Sequence, residues 1–191
     1  MKKLLTCAIS VSIMVLILMG TTFGLQLETS YSTAKSVDYR NRVAQFYGLS
    51  SAKNLTLLNV NGYQQTTDYT CGPAVIMSLM RYYGMLQESQ MTQTTELKIA
   101  KEMGVSNNSP ATMPKMVNWL EQHGFVVKYG ENGNLALLRE NLQMNIPTLV
   151  EWVDWGGHWD VVMGYNVGGK IPRNEKDTIF FADPSAHFDN I

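Results

Sequence analysis

Between positions 71 and 83, Val75, Ile76, Leu79, Met80 and Tyr83 recur at the spacing that lays one apolar stripe along a helix. Cys71 opens this segment, and Pro73 suits a first helical turn, where its missing N–H costs nothing. Gly84 can close it in a left-handed cap. Weaker periodicities predict three more helices. Leu97, Ile99, Ala100 and Met103 mark an amphipathic helix over Thr92–Met103, stopped by Gly104. Thr112 reads as the N-cap of a helix through His123, with Pro114 in its first turn and Gly124 as its end. Met116, Val117, Trp119 and Leu120 form its buried face. Asn134 caps a further helix over Leu135–Met144.

The pattern then turns to strands. Ile146–Val153, His158–Tyr165 and Thr178–Asp183 are separated by an Asp154-Trp-Gly-Gly turn and a polar loop over Gly168–Lys176, and Pro184 breaks the last. Pro147 suits the first residues of its strand or an edge. Leu55–Val60 and Phe125–Tyr129 are shorter strand candidates, and Arg40–Tyr47 is a short helix candidate. Helices first and antiparallel-looking strands afterwards predict an α+β domain, not an alternating βαβ one.

The N-terminus stands apart. Lys2 and Lys3 precede an uncharged run over Leu4–Gly24, most apolar over Ile9–Met19, and Thr22-Phe-Gly24 offers small residues for cleavage before Leu25. This predicts an exported protein with a signal peptide over residues 1–24. The run is about 21 residues long, enough to span a bilayer, so a retained anchor is the alternative. Residues 25–54 read as a polar linker or surface arm, and residues 55–191 as one domain. Membrane contact is expected only through the N-terminal segment, if it is not cleaved. A net charge of −1 gives no basic footprint for nucleic acid. Oligomeric state has no signature here. Of the two cysteines, Cys7 lies in the apolar segment, so the domain holds Cys71 alone, which leaves neither an internal disulfide nor a multi-thiolate zinc site.

A thiol at a helix N-terminus feels unpaired N–H groups and the positive end of the helix dipole, which favour the reactive thiolate. Such a nucleophile needs a base, and the base an orienting acceptor. His158 opens a strand after the Gly-Gly turn, and Asp183 closes the next, so two adjacent antiparallel strands would set them side by side. Attack on a carbonyl creates an oxyanion, for which the Cys71 N–H and the Gln65 side-chain amide would be donors. His123, at a helix C-terminus, reads as structural, and His187 lies in the tail. Asp160 shares a strand face with His158 and reads as a solvated strand residue. Trp152, Trp155 and Trp159 cluster near His158, where packing and shielding of the His–Asp bond are equally good readings. His158, Asp183, His187 and Asp189 show no familiar ligand spacing, so no metal is expected.

The order Gln, Cys, His, Asp, with Gln65 six residues ahead of Cys71, resembles the papain-like cysteine peptidases. More narrowly, Gln65-Thr-Thr-Asp-Tyr-Thr-Cys71-Gly-Pro-Ala resembles the bacteriocin-processing (double-glycine leader) peptidases and their freestanding exported relatives. Gly157-His158-Trp-Asp-Val-Val-Met-Gly164-Tyr fits that family's histidine strand, and Ile179-Phe-Phe-Ala-Asp183-Pro184 its aspartate strand. The resemblance covers about Leu57–Pro184. It implies a papain-like α+β fold, a peptide or protein substrate and no cofactor. It also implies that Cys71 is the nucleophile, His158 the general base, Asp183 its orienting residue and Gln65, rather than Gln64, the oxyanion donor. The leader peptidases usually precede an exporter and an ATPase, which this chain lacks, so a double-glycine leader does not follow as substrate. The His158–Asp183 spacing is long, and the chain stops eight residues after Asp183, which leaves open a domain truncated at its C-terminus. Two other readings stand beside a peptidase: an acyl transferase of transglutaminase or phytochelatin-synthase type, and a non-catalytic binding module on the same fold.

Overall fold

The computed structural model describes residues 3–8, 36–38, 55–153, 157–167 and 177–185. The strands are β1 (Lys3–Ala8), β2 (Ser36–Asp38), β3 (Leu55–Leu57), β4 (Asn61–Tyr63), β5 (Val126–Glu131), β6 (Thr148–Trp152), β7 (His158–Asn166) and β8 (Thr178–Ala182). The helices are α1 (Cys71–Tyr82), α2 (Gln93–Glu102), α3 (Met113–Gln122) and α4 (Leu135–Gln143), with a 3₁₀ turn at Glu88–Gln90. The fold is α+β, with its helices packed on an antiparallel sheet.

The strand β7 is the hub. Every residue from Trp159 to Asn166 is buried. The strand β8 pairs along one side; β6 pairs with the first half of the other side and β3 with the second. At Gly164 the register with β8 shifts, and a Cβ there would lie 2.7 Å from Leu57 Cδ1 and 3.0 Å from Thr56 O. Only glycine lets three backbones approach so closely at this bulge. Beyond β6 the order continues through β1 to β5, both pairings antiparallel. A separate two-stranded pair joins β2 to β4.

Sequence pattern accounts for most of these elements. In α1, all residues from Cys71 to Leu79 are buried, because the helix packs on β7, β4 and α2 at once. Gly84 and Gly124 follow α1 and α3 at φ 73° and 86°, the left-handed region expected of glycine helix stops. Asn134 caps α4 by accepting from the Leu137 N–H. In α3, Met116, Val117, Trp119 and Leu120 are buried as their spacing predicted.

In α2 the expected face is shifted. Leu97 is 38% exposed, whereas Glu96 is wholly buried with Ile99, Ala100 and Met103. Glu96, Ala100 and Met103 stand four and then three residues apart, a sound helical stripe that a carboxylate hides from an apolar count.

The start of the N-terminal run, Lys3–Ala8, forms β1. Its apolar centre Ile9–Met19, the cleavage region before Leu25, the Arg40–Tyr47 helix candidate, Trp155 and His187 lie outside the described residues. Among the described residues, no helix is long and apolar enough to cross a membrane.

Candidate active site

Four segments meet at the N-terminus of α1. Cys71 is its first residue, and the side chain is buried. Pro73 follows in the first turn, and Gly72 lets the helix close on its neighbours. A Cβ at Gly72 would overlap Ala111 Cβ and lie 3.0 Å from Met116 Sδ and 3.8 Å from Trp159 Cδ1. Trp159 is itself locked by donating from Nε1 to the Ala111 carbonyl at 2.6 Å. With Trp159 seated beside Gly72, the preceding residues of strand and helix, His158 and Cys71, are brought together. The thiol lies close enough to the ring to act on its protonation.

Asp183 lies one residue past β8, and its Oδ1 is 2.8 Å from His158 Nε2. The same oxygen accepts the Ser185 N–H at 2.7 Å, which fixes the carboxylate's direction. The structure therefore brings Cys71, His158 and Asp183 into one constellation. The loop after β8 also reaches the Gln65 loop, because the Gln65 N–H donates to Pro184 O at 2.8 Å. The Gln65 side chain donates from Nε2 to Thr67 O at 2.8 Å. Thr67 in turn shares hydroxyl and backbone hydrogen bonds with Thr70, the residue before Cys71. Gln65 is thus tied to both flanks of the site, and one N–H of its amide nitrogen is left over for a ligand.

One neighbour reverses its sequence reading. Asp160 is not solvated but only 6% exposed. Its Oδ2 accepts from Trp152 Nε1 at 2.5 Å, and its Oδ1 lies 3.5 Å from His158 Nε2 with no hydrogen-bond partner among the described residues. Trp152 and His158 are cross-strand partners, as are Val150 and Asp160, so the tryptophan lies against both. It also packs edge-on against Phe181 of β8 at 5.5 Å. Two-residue spacing from His158 was the available signal, and a central buried strand makes it decisive.

These partners govern the imidazole. Burial opposes its charge, but the Asp160 and Asp183 carboxylates and the neighbouring Cys71 sulfur push its pKa from 6.5 up to about 12. Burial and the Asp183 charge raise the Asp160 carboxyl, and the nearby imidazole and the bond from Trp152 only partly offset this. The direction that stands for the cluster is a protonated ring held among carboxylates. His158, Asp160 and Asp183 offer ligand atoms within 4.8 Å of one another, a spacing that would suit a cation too. A ring protonated at Nε2 has no lone pair there for a metal.

His123 plays a local part: it ends α3, its Nδ1 2.7 Å from Trp119 O and its ring stacked on Trp119 at 3.6 Å. Gln64 is half-buried beside Gln65.

With this geometry in view, comparison with known proteins adds one finding. The family described as Peptidase_C39 like matches residues 57–191. The chain belongs to that family. It is, in general, a cysteine peptidase of papain-like fold. Comparison with curated proteins and with solved structures gives no significant match. The matched span of this C39-like chain begins in β3 and includes every residue of the constellation.

Proposed function

We propose that this chain is an exported cysteine endopeptidase working through Cys71, His158, Asp183 and Gln65. The observation that carries the reading is one imidazole bonded to Asp183 Oδ1 at 2.8 Å and set beside a buried thiol at a helix N-terminus. With Nε2 engaged by the carboxylates, Nδ1 is the nitrogen open to the thiol. The Cys71 sulfur attacks a peptide carbonyl as the thiolate, its proton resting on His158. The oxyanion is met by the Cys71 N–H and the free N–H of the Gln65 amide. His158 then protonates the leaving amine, and water, deprotonated by His158, releases the acyl group from sulfur.

The elevated imidazole suits this sequence. A ring held protonated is ready to give its proton to the leaving amine. On acylation the influence of the Cys71 sulfur is lost, and with it one of the causes that raise the ring, so the proton is released when the amine needs it. Export is supported by the Lys2-Lys3 start and the uncharged run after it.

The test is the pH dependence of Cys71 alkylation by iodoacetamide, in full-length protein carrying Cys7→Ser, with and without His158→Ala. At pH 6 the histidine-containing protein is expected to react faster by on the order of 10²-fold, a typical contribution of a positioned acid–base partner. Equal rates in the two proteins would remove the pair, and with it the peptidase mechanism.

A further inference from the structure

Glu96 has no part in the chemistry described so far, yet it is a wholly buried carboxylate. Burying such a group is costly unless donors surround it. The donors here come from one short stretch of chain. Thr66 gives both its backbone N–H to Oε1, at 2.8 Å, and its hydroxyl to Oε2, at 2.5 Å. The Tyr63 phenol lies beside the same carboxylate; burial and the neighbouring Glu96 charge raise its pKa, so it stays protonated.

Tyr63 ends β4, and Thr66 is the residue after Gln65. Gln65 therefore stands inside a clamp. Glu96 holds the chain on either side of it, Pro184 O holds its N–H, and Thr67 O holds its amide nitrogen. Of these anchors, only Glu96 comes from α2, a helix that otherwise packs on α1. We propose that Glu96 is a positioning residue for the oxyanion hole: it fixes the Tyr63–Thr66 segment so that the Gln65 amide meets the carbonyl under attack at Cys71. The inference rests on the peptidase reading and adds to it a residue that never touches substrate.

Geometry gives the reason a carboxylate is needed. Two donors from Thr66 meet the two oxygens, one each, with the Tyr63 phenol beside them. A glutamine of the same shape keeps one oxygen for the Thr66 N–H, but its NH₂ cannot accept from the Thr66 hydroxyl, which must turn to accept instead, and the charge that strengthens both bonds is lost. The segment would then shift by a fraction of an ångström, enough to misplace an oxyanion donor whose benefit depends on fixed geometry.

The experiment is a double-mutant cycle in full-length protein, with p-nitrophenyl acetate as acyl donor and iodoacetamide as a separate probe of the Cys71–His158 pair. Gln65→Ala is expected to lower kcat by about 10²- to 10³-fold, the usual loss for one oxyanion donor, and to leave alkylation unchanged. Glu96→Gln is expected to lower kcat at least about tenfold, also with unchanged alkylation, as a misplaced donor keeps part of its effect. In the Gln65→Ala background the same change should lower kcat no further, because there is nothing left to position. Thr66→Val, which removes only the hydroxyl bond, should show a smaller loss with the same background dependence. It carries the cycle alone if Glu96→Gln does not fold. A glutamate effect of equal size in both backgrounds, or no effect in either, overturns the proposal while leaving the peptidase reading intact. If Gln65→Ala is harmless while Cys71→Ala abolishes turnover, the oxyanion role of Gln65 fails, and that of Glu96 with it. If Cys71→Ala retains full turnover, the peptidase reading itself is lost.

Discussion

At the scale of single residues, the histidine with two carboxylates decides how the site answers to pH. Asp183 holds His158 Nε2 at 2.8 Å, while Asp160 adds a second, buried charge 3.5 Å away. Asp160→Asn keeps the side chain's shape and removes that charge, so the imidazolium should lose its proton at lower pH. The expected outcome is a kcat/KM profile whose alkaline limb moves down, with the low-pH limb little changed. The measurement is that profile for both proteins; an unmoved alkaline limb would mean that Asp160 does not act on the ring. Stability carries the same signature. The folded ring titrates near 12 and the unfolded one near 6.5, so the stabilisation is complete below 6.5 and is lost as pH rises toward 12. Within that window unfolding free energy should fall by at most about 1.4 kcal/mol per pH unit, and His158→Ala should flatten the slope in urea titrations.

At the scale of elements, the approach of α1 to β7 sets the thiol beside the imidazole, and Gly72 is what makes it possible. An alanine there gains helix propensity of up to about 1 kcal/mol, but its methyl overlaps Ala111 and presses on Met116. Overpacking of this kind costs about 1–3 kcal/mol, so Gly72→Ala should destabilise the fold by about 1–2 kcal/mol in urea unfolding. It should also slow Cys71 alkylation, because the helix start is displaced from Trp159. The helices were legible in sequence because caps and stops are local: Asn134 before α4, Pro114 in α3, Gly84 after α1. Cys71, His158, Asp183 and Gln65 were legible because each stands at an element boundary with a recognisable neighbour. What escaped is what tertiary packing decides. Glu96 and Asp160 look solvated in one dimension, and both are buried against donors that lie far away in the chain. The strand β1 escaped for a related reason: a pairing across more than a hundred residues leaves no local trace.

At the scale of the whole molecule, the site draws its parts from both ends of the described domain. The loop with Gln65 follows β4, Asp183 follows β8, and the Gln65 N–H to Pro184 O bond joins the two loops. The nucleophile rides on a central helix whose buried face spans most of its length. The proposed triad and oxyanion donor are therefore coupled through backbone, not only through side chains. Pro184→Gly should loosen both loops at once, lowering kcat and slowing alkylation together, in contrast to the selective loss expected at Glu96. Parallel measurement of the two rates separates these cases, and a kcat loss without an alkylation change would break the coupling.

The sheet order has a consequence for how the protein is made. Among the described residues, β5 reaches the rest of the sheet only through β1. If the first residues are trimmed after translocation, that bridge goes with them, and β5 becomes a flap tethered by its flanking helices. The half that bears β7 and β8 keeps its own pairings. Maturation would then act as a rheostat on one wing of the enzyme while leaving its reactive centre assembled. Amide exchange at Val126–Glu131 would quicken in the trimmed form, and exchange along His158–Asn166 would hold steady.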